Sequence, residues 1–263
     1  MKLIITAGGT RERIDSVRSI TNEATGRLGS LITEEFVRKL KGKEHTIYYL
    51  CGMSAVVPKA EDADVEIIRI EGTDQLQSKI KELLITQKID AVIHSMAVSD
   101  YKVNSVTTLE RVVQAMYHKF HDGQVIATYE EWQQAVTDII KEQTVEAQQK
   151  ISSDLKHPLL MLEKTPKVIG MIKETSPKTL LVGFKLLSNV SKEKLIDTAY
   201  QLLQRNRCDF VLANDTETIQ EGKHVGYLIN KTGSYHTYTD KEQIAKGIAD
   251  HVVKIINCET RKH

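Results

Sequence analysis

Lys2-Leu-Ile-Ile-Thr-Ala-Gly-Gly-Thr-Arg11, followed after a polar interval by Thr21-Asn-Glu-Ala-Thr-Gly-Arg-Leu-Gly29, carries the pattern of a strand, a glycine turn and a helix start. Leu3 to Thr6 is a short apolar run of the kind that forms a buried strand, and it runs straight into Gly8-Gly9-Thr10. Gly26 and Gly29 then stand at the head of a segment in which Leu31, Ile32, Phe36, Val37 and Leu40 fall on one helical stripe. Strand, glycine turn and helix in that order open an α/β unit. Gly8 and Gly9 leave room for a ligand to touch backbone, and the first N–H groups of a helix favour phosphate. The pattern departs from G-x-G-x-x-G, so two readings stay open: a nucleotide or phosphate site, and a structural tight turn.

Lys41-Gly42-Lys43 closes the helix with a glycine stop. Thr46–Leu50 and Glu66–Ile70 read as strands, Asp74–Leu84 as a helix, and Asp90–Val98 as a buried strand ending at Ser99-Asp100-Tyr101. This alternation implies a parallel sheet with right-handed crossovers. Residues 104–149 are polar and helical, with Leu109, Val112, Val113 and Met116 on one face and Trp132, Val136, Ile139 and Ile140 on another. So long an interval between strands exceeds an ordinary crossover, and marks a helical insertion, a lid or an interface arm. Leu159–Leu162 is a strand, and Thr165-Pro166 opens a helix to Lys173 with proline at a tolerated first-turn position. Thr179–Leu187 is a strand, Ser191 caps a helix, Asp209–Asn214 is a strand, 224–230 and 234–238 form a hairpin, and Ile244 to Ile256 lie on a last helix. The expected fold is a single α/β domain over 1–263: a Rossmann-like, mostly parallel sheet flanked by helices, with the helical insertion and a C-terminal β-hairpin.

With 263 residues, 41% hydrophobic and 27% charged, the chain has the composition and length to bury a real core. A net charge of +1 gives no bulk attraction to nucleic acid or a membrane surface, so neither partner is expected. Cys51, Cys208 and Cys258 are few, scattered and odd in number, which argues against a disulfide framework. No apolar run of spanning length and no targeting segment is visible, and a cytoplasmic protein is expected.

Several residues carry possible chemistry. Asn22 suits a helix cap or turn, and its neutral amide also suits an oxyanion where a carboxylate is handled. Asp100 follows an apolar strand directly, where open α/β sheets place ligands or where an aspartate caps a turn. Lys150 closes the insertion, either as a solvated lysine or as an ammonium that meets polyphosphate. Glu163-Lys164-Thr165-Pro166 lies at a strand-to-helix junction, and Gly183-Phe184 lies inside a strand, where Phe184 stacks on a base or joins the core. His118, His121 and Asp122 have metal-like spacing without a second ligand cluster. Tyr227 and Lys231 match the Tyr-x-x-x-Lys pair of NAD(P)-dependent short-chain oxidoreductases, but on a segment that reads as strand rather than helix. A non-enzymatic nucleotide-binding module is the third class kept open.

Taken in order, Thr6–Thr10, Asp15-Ser-Val-Arg18, Ile20–Gly29, Ala97–Tyr101, Lys150–Ser153, Lys164–Pro166, Val182–Lys185 and Leu212–Asp215 resemble the phosphopantothenoylcysteine synthetase (phosphopantothenate–cysteine ligase) family of coenzyme A biosynthesis. The chain is similar to the stand-alone bacterial form, without the flavin-dependent decarboxylase fused to this ligase in many bacteria, so no flavin is expected. The resemblance implies that 4′-phosphopantothenate attacks CTP, with Mg2+ on the phosphates, to give an acyl-cytidylate and pyrophosphate. L-cysteine then displaces CMP. It implies roles for Asn22 and Lys150 in catalysis, Lys150 through a flexible lid. It implies nucleotide contacts at Gly8, Gly9, Ala24, Gly26, Gly29, Met96, Asp100, Lys150, Glu163, Lys164, Thr165, Pro166, Phe184 and Asn214. Asn22, Ala97 and Asp100 would meet phosphopantothenate; metal ligands are not identified, and a homodimer is implied.

The chain departs from the family in three places. The lid segment Lys150-Ile-Ser-Ser153 lacks the additional lysines of many fusion enzymes. Val182-Gly-Phe-Lys-Leu-Leu187 replaces the bacterial Gly-Phe-Ala-Ala-Glu-Thr pattern, and Lys185 is nearer the ATP-using eukaryotic branch. The helix over 191–206 lacks the paired lysines of fusion forms, leaving Arg205 and Arg207 as nearby candidates.

Overall fold

A computed structural model describes residues 1–59, 64–121, 127–144, 151–152, 154–220 and 223–260. Along the chain lie β1 (Lys2–Ala7), β2 (Arg11–Arg13), β3 (Ser19–Thr21), α1 (Arg27–Leu40), β4 (Thr46–Gly52), β5 (Val65–Ile70), α2 (Thr73–Thr86), β6 (Ala91–His94) and β7 (Tyr101–Thr108). There follow α3 (Leu109–His121), α4 (Tyr129–Glu142), β8 (Pro158–Lys164), α5 (Val168–Thr175), β9 (Leu180–Leu187), α6 (Lys192–Asn206), β10 (Phe210–Gln220), β11 (Lys223–Asn230), β12 (Tyr235–Tyr238) and α7 (Lys241–Thr260). They divide into two compact units, one of Met1–Thr10, Asn22–Val98 and Pro166–His263, the other of Arg11–Thr21 and Ser99–Thr165.

The first unit is built on an eight-stranded sheet in the order β12-β11-β10-β9-β6-β1-β4-β5. The pairs from β10 through to β5 are parallel, and β11 and β12 add antiparallel strands at one edge. Strand alternation divides the core into two layers. Leu3, Ile5 and Ala7 of β1 point to one face, where Ile32, Phe36 and Leu40 of α1 pack with Ile248 and Val252 of α7. Ile4 points to the other, where it joins Leu76 and Ile80 of α2, Ile172 of α5 and Leu195 and Leu203 of α6. Every side chain of β1 from Leu3 to Ala7 is buried, as expected of a central parallel strand covered on both faces.

The second unit holds two antiparallel ribbons, β2–β3 and β7–β8, with α3 and α4. Two expectations change here. Residues 104–108, read as the start of a helical insertion, continue β7 because Val106, Thr107 and Thr108 are β-branched and buried. The strand at 159–162 exists, but it pairs with β7 in its own ribbon, Val106 opposite Leu160 and Val103 opposite Leu162. Thr128 caps α4 with a reciprocal capping box to Glu131. In the first unit β6 stops at His94 rather than Val98, and Pro166 precedes α5 rather than occupying its first turn, since Lys167 is the N-cap.

Candidate functional site

β1 is followed in space by β4 on one side and β6 on the other, so the strand order reverses between β1 and β6. Ligands in open α/β sheets bind outside the carboxyl ends of the strands at such a reversal. Gly8, at φ 81°, turns the chain out of β1, and Gly9 forms a parallel bridge with Ala97 beyond β6. Ala97 N donates to Gly8 O at 2.8 Å, and Thr10 N donates to Ala97 O at 3.1 Å. Asn22 N reaches Thr10 O at 3.4 Å, and Asn22 Nδ2 donates to Ala97 O at 3.1 Å. Gly8, Gly9, Asn22 and Ala97 are thus knitted together at the reversal. Behind them Thr6 Oγ1 accepts from Met96 N at 3.1 Å and bonds His94 Nδ1 at 3.0 Å. Burial drives the His94 imidazole down to about 4, so it is neutral near pH 7.

The glycines let the chain pack closely on itself. A Cβ on Gly9 would lie 2.3 Å from Asn22 O, and one on Gly8 2.6 Å from Ala55 Cβ. A Cβ on Gly29 would lie 2.6 Å from Ala7 Cβ, and on Gly52 2.5 Å from Gly9 O. The space each glycine leaves is filled by the chain itself, and that close approach brings Asn22 against the end of β1. Gly26, at φ 74°, is the N-cap of α1; it supplies no side-chain cap, and the first turn carries no acid. By contrast Ser191 caps α6 through Lys194 N. Ala24 lies in the same turn, its carbonyl 3.6 Å from where a Gly8 Cβ would be. Sequence reasoning missed Gly52, Ala55 and Arg69, whose Nη1 holds Gly52 O at 2.8 Å and Ala55 O at 2.9 Å. A glycine ending the apolar run of β4 was the available signal.

Farther along the sheet, Phe184 and Asn214 lie on the adjacent strands β9 and β10. Phe184 packs, half-buried, against the core. Asn214 is buried with its Nδ2 3.2 Å from His224 Nε2, and His224 Nδ1 has no hydrogen-bond partner. His224, also missed, is held low by burial and then by Lys241. Met96 is buried in the core layer that also holds Leu76 and Ile80 of α2. Arg207 terminates α6 just before β10 begins, at the amino end of that strand. It therefore lies at the opposite end of the sheet from the carboxyl ends, and does not replace the family's helix lysines there.

In the second unit the β7–β8 ribbon gathers four of the remaining candidates. Thr165 N donates to Asp100 O at 3.0 Å, and Thr165 Oγ1 donates to Ser99 O. Tyr101 stands opposite Lys164, and Lys102 pairs with Glu163 at 3.5 Å. Asp100, Glu163, Lys164 and Thr165 thus share one end of the ribbon. Asp15 is buried; it accepts from Val17 N (2.8 Å), Arg18 N (2.7 Å) and Ile151 N (3.2 Å), while Arg18 Nη2 donates to Ile151 O at 3.3 Å. The Val17 amide is the largest influence holding its carboxyl below the usual range. Lys150 and Asp122 lie outside the described residues. Tyr117 stacks on His121 at 4.8 Å, and among the described residues no group of three His, Cys, Asp or Glu gathers to hold a metal. Tyr227 lies in β11 and Lys231 in the turn after it, where Lys231 pairs with Asp209 at 2.5 Å; the helix that an oxidoreductase pair requires is absent from this described segment.

The family model described as the DNA/pantothenate metabolism flavoprotein C-terminal domain matches residues 1–112 and 103–256. The crystal structure of the DNA/pantothenate metabolism flavoprotein from Streptococcus pneumoniae is 34% identical with a TM-score of 0.79, covering 97% of this chain and 99% of that one. The coenzyme A biosynthesis bifunctional protein CoaBC of Thermococcus kodakarensis is 27% identical over 256 residues, 97% of this chain and 51% of the relative. That of Methanocaldococcus jannaschii is 22% identical over 257 residues, again 97% and 51%. The chain spans about half the length of these curated relatives. A Cab2 mutant in complex with phosphopantothenate-cysteine shares the fold at a TM-score of 0.67 and 15% identity, over 99% of this chain and 88% of that chain. Among the described residues no helix is long and apolar enough to cross a membrane.

Proposed function

We propose, from the premise that this chain belongs to the DNA/pantothenate metabolism flavoprotein C-terminal domain family, that it is a coenzyme A biosynthesis ligase joining 4′-phosphopantothenate to L-cysteine. The observation that carries the reading is the strand-order reversal, where Asn22 is tied to Gly8–Thr10 and Ala97 beside the start of α1, whose N-cap Gly26 has no side chain. In this reading the nucleotide is CTP, entering as its Mg2+ complex. The ion travels with the substrate phosphates, as is usual for Mg2+.

The carboxylate oxygen of phosphopantothenate forms a bond to the α-phosphorus, and the α–β anhydride bond breaks to release pyrophosphate. The cysteine amine then adds to the acyl carbon, and the acyl–oxygen bond breaks to give the amide and CMP. Two anions must be brought together, so the site needs dipoles and cations rather than a protein nucleophile. The first turn of α1 offers N–H groups and a positive dipole end to phosphate. Asn22, its amide oriented by Ala97 O, meets the reacting carboxyl. Asp100 and Glu163 to Pro166 contribute to the nucleotide side, as do Phe184 and Asn214, and Lys150 neutralises the charge that builds on the phosphates. The condensation changes no oxidation state, so flavin has no part in it.

The apolar side chains of the ribbon support a homodimer: Leu160, Met161 and Leu162 are exposed on β8, and Val113 and Tyr117 on α3. The activity is tested by pyrophosphate release with phosphopantothenate and CTP, ATP or UTP, with and without cysteine. Release dependent on phosphopantothenate and fastest with CTP is the expected result. Inertness with all three nucleotides removes the reading, and preference for ATP removes the nucleotide assignment.

A further inference from the structure

A cavity of about 360 Å3 lies in the first unit against the amino end of β10, away from the strand-order reversal. Lys173 of α5, Arg207 at the end of α6 and Lys231 of the β11–β12 turn line it. Pro177, Leu203 and Cys208 supply apolar lining. Lys173 is buried and pairs with Asp209 at 2.8 Å, and Lys231 pairs with the other oxygen of the same carboxylate at 2.5 Å. Leu181 N also donates to Asp209, at 2.8 Å. Burial alone pushes the Asp209 carboxyl up, but the hydrogen bonds from Lys173 and Lys231 hold it below its ordinary value. One carboxylate therefore serves two ammonium groups, and Arg207 adds a third positive charge with no acidic partner among the described residues. Three cations against one carboxylate leave a net charge of +2 around the cavity.

We propose that this cavity is a second binding site, separate from the strand-order reversal, for a small organic phosphate monoester with a short aliphatic body. Arg207 and Lys231 take the dianionic head, the guanidinium as a planar fork and the ammonium as a point charge. Pro177 and Tyr200, with the edge of Leu203, take the aliphatic body. The volume sits at the low end of small-molecule cavities, which limits the ligand to a few carbons beyond the phosphate. Cys208 is fully buried behind the lining, and burial raises its thiol to about 12, so it stays neutral and is no nucleophile toward the ligand.

Butyl phosphate is the probe, titrated calorimetrically against the full chain, with butyrate and inorganic phosphate as comparisons. Butyl phosphate is expected to bind more tightly than either. Arg207 sits at φ 54°, a left-handed conformation that asparagine tolerates, so Arg207→Asn removes the charge while keeping the turn. That variant should weaken butyl phosphate by about tenfold, the loss of one charge-assisted contact, with pyrophosphate release unchanged. Gln204→Glu, on the exposed face of α6 at the cavity, should weaken it likewise by repulsion. Absence of binding overturns the proposal, as does affinity untouched by both variants. Butyrate binding as tightly as butyl phosphate overturns the phosphate assignment. Affinity that responds to Asn22→Asp but not to Arg207→Asn places the probe at the strand-order reversal and overturns it too.

Discussion

At the scale of single residues the account turns on Asn22 and on the neutral histidine behind it. Asn22→Asp replaces the donor to Ala97 O by an acceptor, and sets a negative charge beside the carboxylate that must react. Amide formation should fall by about 100-fold or more, the size of losing a donor aimed at developing charge; wild-type turnover would take Asn22 out of the mechanism. His94 makes a stability prediction with a definite sign. Its folded value of about 4 lies below the ordinary 6.5, so the unfolded chain binds the extra proton first as pH falls. Its contribution is complete above about pH 6.5 and is lost progressively down to about pH 4, at about 1.4 kcal/mol per pH unit. The depressed carboxyls of Asp15, Asp209 and Asp215 act in a lower window, below about pH 4. Urea unfolding between pH 7 and pH 5 should show a slope that His94→Gln flattens; equal slopes in both proteins would contradict the buried neutral imidazole. Gly8, Gly26 and Asn22 were legible as candidates because turn and helix-start chemistry is local. The partners of Asn214 and Asp15, namely His224 and Ile151, were not, because register and loop closure bring them together from distant parts of the sequence.

At the scale of elements, the turn from β1 to α1 is a packing of backbones, and that makes its glycines unequal. Gly9→Ala would put a Cβ 2.3 Å from Asn22 O, where no flexible side chain can yield. It should cost about 3 kcal/mol or more, the upper end of overpacking, and lower activity by displacing Asn22. Gly42→Ala changes a left-handed glycine, at φ 78°, but into open space, so about 1–2 kcal/mol is expected with full activity. Thermal melts and turnover of the two variants separate a site-shaping glycine from a helix stop; equal activity losses would contradict the distinction. The central sheet and its covering helices could be read from the sequence because alternation and helical stripes record burial directly. The β7–β8 ribbon was half legible. The strand at 159–162 showed itself by composition, but pairing with a strand before two helices leaves no local mark.

At the scale of the whole molecule, the exposed apolar side chains of β8 and α3 should be covered by a second copy of the chain. Light scattering should give twice the chain mass, and Leu162→Glu should shift it toward monomer, since a charge on a buried face is costly; a monomeric wild type would contradict the dimer. The route from carboxylate to amide leaves an isotopic record. Phosphopantothenate carrying 18O in both carboxyl oxygens is turned over with CTP and cysteine, and the nucleotide products are weighed by mass spectrometry. The account predicts one 18O in CMP and none in pyrophosphate, because the attacking oxygen stays on the α-phosphorus when cysteine displaces it. Label in orthophosphate with CDP as the nucleotide product, or amide formed with unlabelled CMP, would contradict it.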